Sequence, residues 1–307
     1  MELLILKPQF KAKIWGSRFF KDEVAARLNE KIGEMWVVSA HREGDLVIAA
    51  GELAGRPLSK VYTEYPYLFN NPSPKNFPVL VKVIATSLDL SIQVHPDDTY
   101  AEKHENDSGK TEGWLILRAA PDARIVYGHH AKNIEEFIGL VNKKQYDRLL
   151  KVKPVKAGEF YPIPAGTVHT VGKNIVLLEI QQSSDLTYRL YDYDRPDLDG
   201  HLRPLHLDKA FDVISFNDVC CQHNVFITTE GKVIIGDNPY FKIILLNVND
   251  EYIFTHTPHY RIATVIEGTF TVEDKTLTFG DSFIITSIAQ TINIKGTGRI
   301  VLTIPHI

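Results

Sequence analysis

In Ser91-Ile92-Gln93-Val94-His95 an amide oxygen and an imidazole stand two residues apart, at Gln93 and His95. Successive side chains of a β-strand leave opposite faces, so this spacing sends both groups to one side, where they can converge on a single ion. Oxygen and nitrogen donors with no thiolate suit zinc and leave room for a water or a substrate oxygen. Spacing alone is a modest argument, because a lone strand histidine is more often a hydrogen-bonded core or surface residue.

A repeated grammar supplies further partners. Gly158-Glu159-Phe160-Tyr161-Pro162-Ile163-Pro164-Ala165-Gly166-Thr167-Val168-His169 and Gly280-Asp281-Ser282-Phe283-Ile284-Ile285-Thr286 both open with Gly and an acidic residue and run into a short apolar strand. This resembles the cupin pattern, a double-sheet jelly roll. One cupin hairpin carries His-x-His with a later Glu, and the other ends in His after a Pro-x-Gly turn. Here Pro164-Ala165-Gly166 leads to His169, whereas Gln93 replaces the first His. On that pattern Glu112 and His169 complete a set of two imidazoles, one carboxylate and one amide oxygen.

The elements that must position these groups read mostly as short strands. Runs at 79–84, 124–127, 175–180, 243–248 and 262–266 are β-branched or aromatic-rich and punctuated by Gly, Pro, Asn and Asp. Apolar periodicity predicts helices over 21–32, over 133–151 with Asn133 as cap, and over 207–214. Val265-Ile266-Glu267-Gly268-Thr269-Phe270-Thr271-Val272 reads as strand, turn, strand. The expected fold is mainly β, with two cupin-like jelly-roll domains and a few helices. Residues 1–218 form the catalytic metal-binding domain with helical insertions, and 222–307 a degenerate second one. Counted from Gly280, the second Pro, Gly and ligand His fall on Thr286, Ile288 and Thr291, so that domain is expected to be metal-free. His256 and His259 there lack ligand partners, and His129 and His130, beside a turn Gly, are expected in solvent.

Bulk properties narrow the classes. The chain has 307 residues and a net charge of −4, with no Lys/Arg-rich block, which argues against nucleic acid and leaves any anion to a few local cations. The start has no basic n-region, and no apolar run approaches the roughly 20 residues of a membrane span. Cys220 and Cys221 are adjacent and too few for a disulfide framework, which fits a reducing cytoplasm.

Longer blocks resemble type I phosphomannose isomerases. They are Leu90-Ser91-Ile92-Gln93-Val94-His95-Pro96-Asp97-Asp98, Gly109-Lys110-Thr111-Glu112-Gly113-Trp114, Pro164 to His169, and Glu179-Ile180-Gln181-Gln182-Ser183-Ser184-Asp185-Leu186-Thr187-Tyr188-Arg189-Leu190-Tyr191-Asp192. The resemblance is specific over about residues 10 to 215 and general beyond. It implies interconversion of mannose 6-phosphate and fructose 6-phosphate, with one zinc per chain on Gln93, His95, Glu112 and His169. It makes Arg189 the active-site arginine and places Lys110, Glu179 and Asp185 in the cavity.

Aldose-ketose isomerisation removes a proton from C2 and returns it to C1, so it needs a Lewis acid for the developing charge and a carrier with a pKa near neutrality. Lys110 and Glu179 are the candidate carriers, and the sequence does not choose between them. Arg189 can stabilise charge or hold the substrate, although Tyr188, Tyr191 and Asp185 also suit a stacked salt bridge. Ser91 and Lys82 are candidates for the phosphate. The partner expected is a small sugar phosphate, with the chain a monomer or weak homodimer. Rival readings are a glucose 6-phosphate isomerase of the same fold and a non-catalytic sugar-binding cupin. Gln93, Lys110-Thr111-Glu112 and Arg189 disfavour both.

Overall fold

The computed structural model describes residues 1–20, 31–72, 75–217, 223–226 and 231–306. The chain opens with β1 (Leu3–Leu6), β2 (Gln9–Ser17), β3 (Ile32–Val38), α1 (Leu58–Glu64) and β4 (Val79–Ala85). There follow β5 (Ile92–Val94), α2 (Asp98–Glu105), β6 (Glu112–Ala119), β7 (Arg124–His129), α3 (Ile134–Asn142), α4 (Tyr146–Leu149) and β8 (Leu150–Pro154). Next are β9 (Glu159–Ile163), β10 (His169–Val171), β11 (Ile175–Gln182), β12 (Tyr188–Tyr191) and α5 (Leu207–Val213). The last strands are β13 (His223–Asn224), β14 (Gly231–Asp237), β15 (Phe241–Val248), β16 (Glu251–Thr255), β17 (Arg261–Val272), β18 (Lys275–Leu277), β19 (Ser282–Ile285) and β20 (Thr291–Pro305). The fold is mainly β, as the cupin pattern implies.

Contacts divide the chain into two compact units. One comprises Phe10–Glu34 and Ile84–Gln222, the other Met1–Gln9, Met35–Val83 and His223–Ile307.

In the first unit a sheet ordered β12-β5-β10-β7-β8 faces another in which β6 lies between β9 and β11. Trp114, Ile116, Tyr161, Ile163, Ile175 and Leu177 of the latter pack with Ile125, Tyr127 and Val171 of the former. Alternation then gives the first sheet's outer face Ile92, Val94, Val126, Tyr188 and Leu190, which would be solvated without cover. Phe137 and Val141 of α3, Leu149 of α4 and Ala210 of α5 provide that cover.

The other unit carries a sheet ordered β1-β19-β17-β20-β15-β14, with β16 on β20 and β18 on β17. Phe254, Phe270, Phe283, Ile294 and Leu302 fill its core. The expected turn at Gly268 is absent, because β17 runs unbroken through it. A register shift between Val265 and Glu267 instead sets Gly268 opposite Gly298 on β20. Gly268 has φ +86, and a Cβ there would lie 2.0 Å from the Thr297 carbonyl oxygen. The glycine marks a close backbone approach at a bulge and not a chain reversal.

Other expectations are revised likewise. The helix predicted over 133–151 is two helices and the start of a strand. Asn133 caps α3 by accepting from the Glu136 N–H at 2.9 Å. After Asn142 no apolar residue continues the stripe, and Lys144 takes a left-handed φ of 52 that ends the helix. The helix predicted over 21–32 falls outside the described residues except at Lys31 and Ile32, and β3 begins at Ile32. Cys220 and Cys221 also lie outside them. His129 is buried and not in solvent: it is the last residue of β7, and its ring sits edge-on to Phe137 at 4.9 Å and to Phe216 at 5.0 Å. Among the described residues no helix is long and apolar enough to cross a membrane.

Candidate metal centre and active site

Four side chains cross the inner face of one sheet in a single row. Gln93 on β5 is paired with His169 on β10 and with Arg189 on β12, and His169 is paired in turn with Tyr127 on β7. Directly opposed residues project the same way, so the row follows from backbone register. His95, two residues beyond Gln93, turns its ring to the same side, 4.8 Å from that of His169.

The facing sheet supplies the acids. Glu112 opens β6 opposite Gln181 on β11, and Trp114 stands opposite Glu179. The Trp114 indole N–H donates to Glu112 Oε2 and to Glu179 Oε1, each at 3.0 Å. One buried donor thereby fixes both carboxylates.

The sheets bring His95, Glu112 and His169 together, with ligand atoms within 4.8 Å of one another. Glu112 Oε1 lies 3.3 Å from His95 Nε2, and Oε2 lies 3.8 Å from His169 Nε2. Lys110 joins them, its ammonium 3.0 Å from Glu112 Oε1 and 3.3 Å from His95 Nε2. All four are buried. Burial, reinforced by the Lys110 charge and opposed by Glu112, pushes the His95 pKa down to about 3. Burial also lowers that of His169. For Glu112 burial acts upward, but Lys110 and the imidazoles hold it well below the usual carboxylate range.

Neutral imidazoles beside an ionised carboxylate are the donors a divalent cation requires. His169 Nδ1 is 2.8 Å from the Thr167 carbonyl, which fixes it as the protonated nitrogen and leaves the Nε2 lone pair facing Glu112. Gln93 Nε2 lies 3.3 Å from His169 Nε2, while its Oε1 accepts from Ser91 Oγ at 3.1 Å. A half-turn of the amide exchanges the two and delivers oxygen to the cluster. Donor types, burial and second-sphere bonding thus fit the metal.

The remaining candidates are placed as follows. Arg189 is half-buried, and its Nε makes no hydrogen bond among the described residues. Burial and Arg203 lower its pKa, while Asp192 and the exposed Asp185 oppose them. Ser91 is buried beneath Gln93, and Glu179 is buried beside Trp114. Lys82 is buried in β4, in the other compact unit, with its ammonium 5.6 Å from the Trp36 ring. His256 Nδ1 meets the Ala289 carbonyl at 3.1 Å, and Thr286 Oγ1 donates to the Met1 and Glu2 carbonyls.

Residues 3–120 match the type I phosphomannose isomerase catalytic domain, and 231–305 match the mannose-6-phosphate isomerase cupin domain. A mannose-6-phosphate isomerase of Streptococcus mutans is 36% identical over 98% of this chain and 97% of its own length. A second, from Bacillus subtilis, is 39% identical over 87% of this chain and 86% of its own. The chain belongs to the type I phosphomannose isomerase family. A crystal structure of the mannose 6-phosphate isomerase from Bacillus subtilis superposes with a TM-score of 0.88 at 33% identity, covering 100% of both chains. The fold extends to a zinc-bound mannose 6-phosphate isomerase at TM-score 0.73 and 15% identity, which covers 100% of both chains.

Two residues within the quoted blocks, Trp114 and Gln181, carry no role in the motif pattern yet face the site. Trp114 follows Glu112 by two on a strand, so parity alone puts it on the site face. Gln181 shares that face through Glu179 by the same count.

Proposed function

We propose that this chain interconverts mannose 6-phosphate and fructose 6-phosphate through an enediol-type intermediate, using one zinc per chain on Gln93, His95, Glu112 and His169. The observation that carries the reading is the buried His95-Glu112-His169 group in a member of this family. Bound there, zinc supplies a Lewis acid for the sugar oxygens at C1 and C2.

The chain's own groups divide the remaining work. Arg189, beside Gln93 in register, holds the open-chain sugar and balances its developing charge. Lys110 and Glu179 are the candidates to move the proton between C2 and C1. Lys110 lies against the ligand cluster, while Glu179 is oriented by the Trp114 N–H, the kind of support a positioned base needs. Ser91 is the candidate hydroxyl for the phosphoryl group, with Asp185 a substrate contact near Arg189. The two adjacent cysteines suit a reducing cytoplasm, and the chain is read as a monomer or weak homodimer.

Coupled assays on mannose 6-phosphate and on glucose 6-phosphate, each with and without added zinc, test the reading. Metal-dependent turnover of mannose 6-phosphate alone is expected. Turnover of glucose 6-phosphate in its place, or of neither, overturns it.

A further inference from the structure

Gln181 is wholly buried, yet its side-chain carbonyl has no hydrogen-bond donor among the described residues. Its amide orientation is determined by chemistry. Nε2 donates to the Gln182 carbonyl at 2.9 Å and to the Ser184 carbonyl at 2.5 Å, and only an NH2 can serve two carbonyl oxygens. Oε1 is therefore the atom left over. A buried acceptor without a donor is destabilising, so such an atom calls for a function.

Its position suggests one. Gln181 is directly opposite Glu112 in the β11–β6 pairing, and Glu179 lies two residues before it on the same face. Directly paired residues have Cβ atoms about 5 Å apart, so the orphan oxygen belongs to the wall that carries the carboxylate of the metal cluster. A sugar anchored through O1 and O2 would bring its next hydroxyls toward that wall. Hydroxyls are donors, and a phosphoryl group or a zinc-bound carboxylate is not.

We propose that Gln181 is a specificity-determining residue, whose Oε1 accepts a hydrogen bond from the C3 or C4 hydroxyl of the bound hexose phosphate. The inference rests on the isomerase reading above. The backbone carbonyls that clamp Nε2 pre-orient the acceptor, so it discriminates between sugars without reorganising.

The test pairs substrate and protein deletions on the zinc-loaded enzyme. Wild-type turnover of mannose 6-phosphate first settles the reading on which the inference rests. With that in hand, either 3-deoxy- or 4-deoxymannose 6-phosphate should lose at least about tenfold in kcat/KM on wild type. Gln181→Met, of similar shape, should lose a similar factor on mannose 6-phosphate at unchanged zinc content, and should no longer distinguish that deoxy sugar from the parent. Gln181→Asn keeps the amide but retracts it by one methylene, and should also lose the distinction. Full activity of both deoxy sugars on wild type overturns the proposal whether or not either variant folds. So does a deoxy penalty that persists undiminished in the variants, which would assign the oxygen to bound water alone.

Discussion

Arg189 lies directly opposite Gln93 across the antiparallel pairing of β12 with β5, so the guanidinium and the proposed ligand amide leave the same face of one sheet. Register therefore couples the proposed charge-balancing group to the proposed ligand. Because β12 is the edge strand, the backbone of Arg189 needs a partner on its open side. The Arg189 N–H donates to His206 Nδ1 at 3.2 Å, and its carbonyl accepts from the His206 N–H at 2.8 Å.

The metal assignment predicts about one zinc per chain in the isolated protein, removable by chelator with loss of activity. His95→Ala and His169→Ala should lose the metal readily, whereas His256→Ala should retain it. Metal analysis after dialysis decides the matter. Stoichiometric zinc in the His95→Ala, His169→Ala double variant would place the site elsewhere.

Arg189→Lys keeps the charge but discards the planar fork of donors. Turnover should fall by at least about 10²-fold, the scale of losing one transition-state donor. Zinc content should stay near that of wild type. Unaltered turnover would reduce Arg189 to a structural ion pair with its acidic neighbours.

Trp114→Phe preserves most of the buried ring and removes the N–H shared by Glu112 and Glu179. Outer-shell partners of this kind are worth about 10- to 100-fold in metal affinity or activity. Zinc titration against a competing chelator should show weaker binding, with the β-sheet circular dichroism intact. Equal affinity would show that the indole acts only by filling space.

His129 gives a pH dependence whose sign is fixed. Burial lowers its folded-state pKa, with the Ser215 carbonyl partly opposing. The unfolded chain takes up the proton near the ordinary value of about 6.5 while the folded chain does not. Stability is thus full above that pH and declines as pH falls below it toward the folded pKa. Urea midpoints at pH 7.5 and 5.5 should converge in His129→Gln relative to wild type. An identical pH slope in the variant would remove His129 from the account.

Gly268→Ala sets a methyl group against the Thr297 carbonyl at a backbone φ that L-residues rarely adopt. A loss of at least about 2 kcal/mol is expected, in the range for a backbone clash at a special φ. Thermal unfolding measures it. A variant as stable as the parent would mean that β17 and β20 can separate at no cost.

Much of the site was legible because strand parity is local. Gln93 with His95, and Glu112 with Trp114, obey a period of two that needs no knowledge of the fold. Which strands lie side by side is not local: nothing within β5 announces that Gln93 will stand between His169 and Arg189. The corrections share this origin. Gly268 resembles a turn glycine until its cross-strand neighbour, Gly298, is known, and His129 resembles a loop residue until Phe137 and Phe216 arrive from elsewhere in the chain. The break after α3 was visible in part, since the apolar stripe skips from Val141 to Leu149.

The brevity of β5 bears on how this protein can vary. Within Ile92–Val94 the outer residues are buried against helices while Gln93 faces the site. A one-residue slip of this strand against β10 and β12 would exchange hydrocarbon for the amide and turn Gln93 toward the helices. A slip of two would preserve the parity but set Ser91 or His95, and not Gln93, between His169 and Arg189. Length changes upstream of this strand should therefore be tolerated only where the preceding segment absorbs them and β5 holds its register, a constraint on insertions and deletions that no single substitution would expose.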